Sequence, residues 1–162
     1  MLADVVSKNG NLMLSIPMRG DGTIDEKEVA FLEGMAAWID VNGDAIFATR
    51  PWKIFGEGPT KMEGREQTAK PYTPQDVRFT TKGDALYAFV MAWPTESRKV
   101  TIKSLASNAE HVGGAKVADV SLLGHGGKLT WTQDEQGLSV TFPENPPSQH
   151  AVALKIRGIP VA

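Results

Sequence analysis

The stretch that decides the fold is the apolar run Leu86-Tyr87-Ala88-Phe89-Val90-Met91-Ala92-Trp93. Aliphatic and aromatic side chains in a run of this length are typical of a β-strand. Lys82-Gly83-Asp84 stands directly before the run and carries the composition of a tight turn. Residues 77–81 before that turn alternate with a period of two. This part of the sequence therefore predicts two strands joined by a tight turn.

Further short strands are predicted toward the C-terminus, and Gly or Pro residues separate most of them. The candidates are residues 99–105, 117–122, 128–132, 138–142 and 152–157. The glycine-rich segment Gly124-His125-Gly126-Gly127 is predicted to be a hairpin turn. Seven strands at this spacing predict a mainly β fold, either an antiparallel β-sandwich or a small barrel.

The first 50 residues have a different character and predict a strand, a turn and a helix. Residues 11–16 form a short apolar run, as expected of a strand buried on both faces. Thr23 and Glu26 fit a capping box at the start of an amphipathic helix that reaches Asn42. Gly43 suits the left-handed position that ends such a helix.

A segment rich in Pro and Gly follows, and it predicts a connector over residues 51–76. Within it, residues 53–55 predict a short strand.

Composition and charge exclude several classes of function. The 162 residues carry 17 Lys and Arg against 19 Asp and Glu, a net charge of −2, which argues against a nucleic-acid partner. No apolar run approaches the roughly 20 residues of a membrane span. The absence of Cys excludes disulfides, thiolate metal sites and Cys nucleophiles. The N-terminal residues do not resemble a signal peptide, and the cellular compartment is left open.

The residues that could carry chemistry do not converge on a site. His111, His125 and His150 fall in three different predicted loops without the spacing of a metal pair, so neither a metal nor a cofactor is predicted. No two carboxylates form a credible catalytic pair. Packing in the core or at a sheet edge is favoured over sugar stacking for the four tryptophans, Trp38, Trp52, Trp93 and Trp131.

Four segments together resemble one enzyme family. Residues 4–12 read DVVSKNGNL, residues 19–24 read RGDGTI, and similar blocks follow over residues 38–52 and 79–89. This pattern resembles the α-L-fucosidases of glycoside hydrolase family 29. The resemblance covers essentially the whole chain and is most specific through about residue 60.

The resemblance implies a domain organisation. Family members have a catalytic (β/α)8-like barrel followed by a β-sandwich. By this likeness, residues 1–50 correspond to the end of the barrel, with Leu12 to Ile16 as its last strand and Asp25 to Asn42 as its last helix. A connector over residues 51–76 and a C-terminal sandwich over residues 77–162 would follow.

The resemblance also implies a retaining mechanism, in which an Asp nucleophile and a second carboxylic acid act on opposite sides of the glycosidic bond. No position of this chain matches either group, so we expect the chain to be catalytically incomplete by itself. Ser15, where family members commonly have Asn, and Arg19 would face the sugar only in a completed barrel. The partner expected through the complete enzyme is a fucosylated glycan.

Two questions stay open at the level of sequence. The chain is expected to be a fragment, a truncated reading frame or one half of a split enzyme. Its apolar strand and helix are expected to be covered by another copy, by a barrel-supplying partner chain or by refolding onto the sandwich. The alternative functions are a stand-alone carbohydrate-binding module and a structural or oligomerising domain.

Overall fold

Two antiparallel sheets and two helices make up the fold in the computed structural model, which describes residues 1–60 and 71–161. The helices are α1 (Leu2–Ser7) and α2 (Glu26–Asn42). The described strands are β1 (Arg50–Glu57), β2 (Val77–Lys82), β3 (Ala85–Val90), β4 (Lys99–Ile102), β5 (Asp119–Leu122), β6 (Thr130–Asp134), β7 (Gly137–Thr141) and β8 (Val152–Arg157). Short 3-10 helices cover Gly43–Ala45, Lys103–Leu105 and Glu110–Val112.

The larger sheet has the order β1-β2-β3-β8-β5, and the smaller sheet has the order β4-β7-β6. β3 lies at the centre of the larger sheet and is buried along its whole length, because both of its faces are covered. One face packs against the smaller sheet around Phe79, Leu86, Leu138 and Leu154. The other face carries Tyr87 and Phe89 and packs against helical residues that include Trp38. The predicted antiparallel β-sandwich is therefore confirmed.

The predicted strands agree with the structure to within a few residues. Two predictions differ: the end of one strand and the conformation of one loop. The strand predicted over 99–105 ends at Ile102 because the chain turns into a 3-10 helix. The prediction of a hairpin at Gly124 to Gly127 was wrong, since β5 pairs with β8 and β6 pairs with β7. This loop instead carries the chain from one sheet to the other.

The strand in the predicted connector is longer than expected. It covers Arg50–Glu57 and pairs with β2 as the edge of the larger sheet. Residues 61–70 of the predicted connector lie outside the described residues, as does residue 162 at the end of the predicted sandwich.

The prediction of a strand over residues 11–16 was wrong for this chain. Residues 10–17 lie outside every described helix and strand, and Met13 is 94% exposed. A strand of a parallel sheet needs hydrogen-bonding neighbours on its sides, and no described strand lies beside this segment. Instead, the N-terminus forms α1, which the sequence analysis did not predict.

The predicted helix is present, but its two ends differ from the prediction. Asp25, not Thr23, is the N-cap, and its side chain accepts a hydrogen bond from the backbone N–H of Lys27 at 2.9 Å. Thr23 instead donates its backbone N–H and its hydroxyl to the carboxylate of Asp21. Gly43 has φ −60° and continues the chain into a 3-10 turn, so the predicted left-handed end is not formed.

An experiment can distinguish Asp25 from Thr23 as the N-cap of α2. We expect Asp25→Ala to raise the amide exchange rate of Lys27 and the rest of the first turn of α2 several-fold, because one orphan N–H loses its acceptor. Thr23→Ala serves as the matched control and should leave these amides near their original rate. Equal acceleration by the two substitutions, followed by NMR hydrogen exchange, would contradict the assigned cap.

Candidate functional site

The two residues predicted to contact substrate lie on the surface of the N-terminal segment. Arg19 pairs with Asp25, with Nη2 and Oδ2 2.8 Å apart, and both side chains are about half exposed. The Lys27 backbone and the Arg19 guanidinium hold the pKa of Asp25 below its usual value. Arg19 also lines a shallow depression of about 390 Å³ together with Pro17, Met18, Asp25, Lys27 and Glu28.

Ser15 is exposed and is not among the residues that line this depression. The structure therefore does not bring Ser15 and Arg19 together into one enclosed site. A sugar site requires polar groups that converge from several elements, so the predicted roles of these two residues remain predictions.

The exposed apolar side chains have an uneven distribution along the chain. Every large hydrophobic residue that is exposed in the described structure lies within residues 1–55. We call this set the apolar surface; its members are Met1, Met13, Leu14, Met18, Ile24, Val29, Phe31, Phe47 and Phe55. Exposed apolar side chains that lie together on a surface mark interaction sites, whereas single ones are common. Residues 12–16 and the apolar stripe of the helix were expected to be covered; in the described part of the chain, the sandwich leaves Met13, Leu14, Val29 and Phe31 exposed.

Helix α2 is attached to the larger sheet through its C-terminal end. The indole Nε1 of Trp38 donates to the carbonyl of Ala151 at 2.6 Å, and its ring stacks on Phe89 with centroids 6.1 Å apart. Asn42 is fully buried and accepts from the backbone N–H of Ala153 at 3.1 Å. The N-terminal half of the helix, including Phe31, extends beyond this contact and stays exposed.

A charged cluster around Asp44 forms a second attachment. Its carboxylate accepts from Lys82 Nζ at 2.7 Å, from the Tyr87 hydroxyl at 2.5 Å and from Lys155 Nζ at 3.0 Å. These hydrogen bonds, with that of Lys82 the strongest cause, hold the pKa of Asp44 well below its usual range. The turn after α2 is thereby joined to β2, β3 and β8.

Two carboxylates are buried, and neither has the environment expected of a catalytic acid. Asp4 pairs with Arg78, and Asp76 accepts hydrogen bonds from Thr60 and Thr73. Burial opposes ionisation of each, but the hydrogen bonds outweigh it and lower the pKa of both groups. The acid of a glycosidase needs a raised pKa, which is the opposite shift.

The burial of these carboxylates was not predicted from the sequence. The spacing of Thr73 and Asp76 is the signal that could have found one of them, because a carboxylate commonly accepts from the backbone N–H groups of its own turn. Asp4 gives no such signal, since its partner lies 74 residues away in the sequence.

His111 and the tryptophans have structural environments, whereas His150 is exposed. His111 contacts the carbonyl of Ser104 and packs edge-on against Trp52. No group of three or more His, Asp or Glu side chains in residues 1–60 and 71–161 is arranged to hold a metal ion. Trp52 is buried and donates to the carbonyl of Pro160, while Trp93 and Trp131 are half-buried against the core between the sheets.

No helix in the described part of the chain has the length and apolar character needed to cross a bilayer.

Comparison with known families separates the chain into two matched parts. Residues 70–157, more than half of the chain, match the family model described as the α-L-fucosidase C-terminal domain. The chain belongs to the α-L-fucosidase family. Residues 1–44 match a second model of this family, described as α-L-fucosidase. The resemblance seen in the sequence is therefore confirmed.

Individual α-L-fucosidases align over nearly the whole chain. Tissue α-L-fucosidase of Rattus norvegicus is 30% identical over 93% of this chain, and the human tissue enzyme is 29% identical over 98%. The structure of Thermotoga maritima α-fucosidase in complex with a mechanism-based inhibitor covers 96% of this chain with a TM-score of 0.70 and 27% identity.

The match covers only part of each relative. The chain spans 28% of the rat enzyme, 30% of the human enzyme and 32% of the Thermotoga maritima chain. It thus corresponds to the C-terminal portion of an α-L-fucosidase.

Proposed function

We propose that this chain contributes the last part of the catalytic barrel and the C-terminal sandwich to an α-L-fucosidase that cleaves α-L-fucosides from glycans. The enzyme uses the retaining mechanism that the family resemblance implies. Its nucleophile and its acid are supplied by polypeptide beyond these 162 residues. The sandwich supports the barrel. The proposed division assigns residues 1–50 to the barrel, 51–76 to the connector and 77–162 to the sandwich.

The observation that carries this proposal is the location of the apolar surface. Seven of its nine members lie within residues 1–44, the part that matches the general α-L-fucosidase model, and the other two are Phe47 and Phe55. By contrast, the sandwich buries its large apolar side chains between its sheets and beneath the helices, apart from Phe55 on the edge strand β1. This distribution supports the proposal that the segment before the sandwich is covered by the rest of a catalytic barrel.

The occupant that fits this surface is the remainder of that barrel. Met13 and Met18 lie in the segment that would be its last strand and the following turn, where neighbouring strands would bury them. Phe31 lies on the helix that would pack on the outside of the same barrel. Self-association of this chain is the competing way to cover these side chains.

The first test is activity. We expect the isolated chain to give no hydrolysis of an aryl α-L-fucoside above background, because no carboxylate pair here matches the nucleophile and acid. Mixing or co-expression with the catalytic region of a related α-L-fucosidase should give a complex with measurable turnover. Turnover by the isolated chain that survives repurification and is lost on replacing one of its own carboxylates would overturn the proposal.

A matched pair of variants on α2 tests the docking surface. Phe31→Asp should abolish formation of the complex, since it places a charge where an apolar contact is expected. Glu33→Lys changes the charge of a neighbouring exposed position and should leave the complex intact. Equal behaviour of the two variants in size-exclusion chromatography with light scattering would contradict this surface, and a homodimer of the unmodified chain blocked by Phe31→Asp would favour self-association.

Sugar recognition gives a further prediction. We propose that Ser15 and Arg19 contact the substrate only in the completed barrel, so the isolated chain should bind L-fucose no tighter than the millimolar range, about −4 kcal/mol. Titration calorimetry provides the measurement. Micromolar binding lost in Trp93→Ala or Trp131→Ala, but kept in Arg19→Ala, would instead establish a carbohydrate-binding module.

A further inference from the structure

A buried ion pair joins the two parts of the chain that match different family models. Asp4 lies in α1, and Arg78 lies in β2 of the sandwich. Their Oδ1 and Nε atoms are 2.5 Å apart, and only 7% of Asp4 and 3% of Arg78 is exposed. A charge buried to this extent is tolerated only when it is paired and hydrogen-bonded.

The surroundings of Arg78 hold its side chain in one orientation. Its Nη1 donates to the carbonyls of Val77 at 2.9 Å and Glu57 at 3.2 Å. The guanidinium also lies 5.5 Å from the ring centroid of Phe55 and 5.4 Å from that of Tyr72. Such contacts with aromatic faces favour the cationic side chain. Arg78 is therefore also held by contacts that do not involve α1.

The edge strand is shaped to admit this arginine. The pairing of β1 with β2 is irregular between Pro51 and Gly56. A Cβ atom on Gly56 would lie 2.8 Å from Cδ of Arg78 and 2.2 Å from the carbonyl oxygen of Val77. Glycine is thus favoured at this position mainly because the backbone of β2 approaches closely, and the side chain of Arg78 lies against the same point.

On the other side of the ion pair, α1 leads directly into the segment that carries Ser15 and Arg19. The helix ends in a tight turn in which the backbone N–H groups of Lys8 and Gly10 both donate to the carbonyl of Val5. Asn9 has φ +61°, and a Cβ on Gly10 would come within 2.9 Å of Val5. The direction in which the chain leaves α1 is therefore determined by the position of the helix.

We propose that Arg78 is a positioning residue that reaches from the sandwich to Asp4, fixes α1 on β1 and β2, and so sets the course of residues 10–19 toward the barrel. Its importance for substrate binding rests on the proposed function. The sandwich would then act on the sugar site at a distance, through one buried ion pair.

The protonation of Asp4 provides a readout specific to this pair. The groups that face its carboxylate are Arg78 from β2, Lys8 directly after α1 and the hydroxyl-bearing ring of Tyr72. Burial opposes ionisation of Asp4, but Arg78 and Lys8 outweigh it, so its pKa lies below the ordinary 3.8. A lowered pKa means that the stabilisation is present above pH 3.8 and is lost as pH falls through the folded-state value.

Hydrogen exchange in the complete 162-residue chain tests the proposal without reference to activity. We expect Asp4→Asn to accelerate exchange of the Val5 and Gly10 amides by at least about tenfold, while the Ala88 amide in β3 keeps its rate. Lys8→Gln is the matched control: it removes the exposed partner of the same carboxylate, and its effect should be less than about threefold.

The double variant Asp4→Asn/Arg78→Gln then tests whether the two residues act together. Its α1 exchange should be no faster than that of Asp4→Asn alone, since the partner is already lost. On acidification, α1 protection in the unmodified chain should fall relative to that of β3, and Asp4→Asn should remove this difference. The pH comparison needs no Arg78 variant, so it remains informative if Arg78→Gln fails to fold.

Three results would overturn the proposal. They are unchanged α1 exchange in Asp4→Asn, an equal acceleration by Lys8→Gln, or effects of Asp4→Asn and Arg78→Gln on α1 exchange that multiply in the double variant. Failure of the chain to form an active complex with a catalytic region would reject the proposed function instead. It would leave the exchange results unaffected, so the two failures are distinguishable.

Discussion

Replacing Trp38 by alanine is expected to lower the free energy of unfolding by about 3–5 kcal/mol, as for other large aromatic side chains removed from a core. Trp38 is 9% exposed, stacks on Phe89 and donates to the carbonyl of Ala151. The substitution would leave a cavity beneath α2 and an unsatisfied carbonyl in the segment before β8. Both effects act on the same contact between helix and sheet.

Phe31→Ala offers a matched control on the same helix. Phe31 is 52% exposed, and removal of an exposed side chain ordinarily changes stability by no more than about 0.5 kcal/mol. Urea unfolding followed by circular dichroism gives both values with a common reference. Losses of similar size for the two variants would show that α2 is not attached to the sheet through Trp38.

The same pair of residues reports on the proposed assembly. In the complex with a catalytic region, Phe31 is expected to become buried, and Phe31→Ala should then weaken the complex more than it weakens the isolated chain. Trp38 already has its partners within the chain. Its substitution should therefore lower the stability of the isolated chain and of the complex by a similar amount.

The sandwich could be predicted from the sequence because local signals and tertiary contacts agree there. Residues 86–93 form a continuous apolar run, and the structure buries β3 on both faces. The turn Lys82-Gly83-Asp84 joins β2 and β3 in register, with Lys82 opposite Ala85. Alternating residues of the later strands likewise enter the core between the sheets. In each case the sequence pattern and the packing specify the same element.

The N-terminal segment could not be predicted in the same way, because its apolar pattern finds no strand partners among the described residues. The run at residues 11–16 has the composition of a buried strand, but its residues find no strand partner here. Hydrogen bonds to neighbours, rather than composition, determine whether such a run becomes a strand. Under the proposed function, neighbouring strands of the barrel would supply the missing partners.

The attachments between the segment and the sheet were missed for a different reason. Asp4 and Arg78 are 74 residues apart, and Asn42 and Ala153 are 111 residues apart. Neither separation produces a local motif, so no reading of short windows can pair these residues. The N-cap of α2 was also mispredicted, because Thr23 and Asp25 both suit that position. Thr23 instead donates to Asp21 in the preceding turn, and Asp25 caps the helix.

Replacing Asp76 by alanine is expected to destabilise the chain by about 3 kcal/mol or more, because hydrogen bonds to a buried charged group are among the strongest single contributions to stability. Asp76 is fully buried at the start of β2. Its carboxylate accepts from the backbone N–H and the hydroxyl of Thr60 at 2.8 Å each, and from those of Thr73 at 2.7 and 2.8 Å. Alanine would leave the two backbone donors without their acceptor.

The exposed carboxylate Asp84 provides the control, since Asp84→Ala should change stability by no more than about 0.5 kcal/mol. The pH dependence gives an independent check. Burial opposes ionisation of Asp76, but the hydrogen bonds of Thr73 and Thr60 hold its pKa below the ordinary 3.8. Its contribution is therefore complete above pH 3.8 and is lost as pH falls through the folded-state value. Asp76→Asn should flatten this decline in acid unfolding experiments, and an unchanged slope would show that the carboxylate does not stabilise the start of β2.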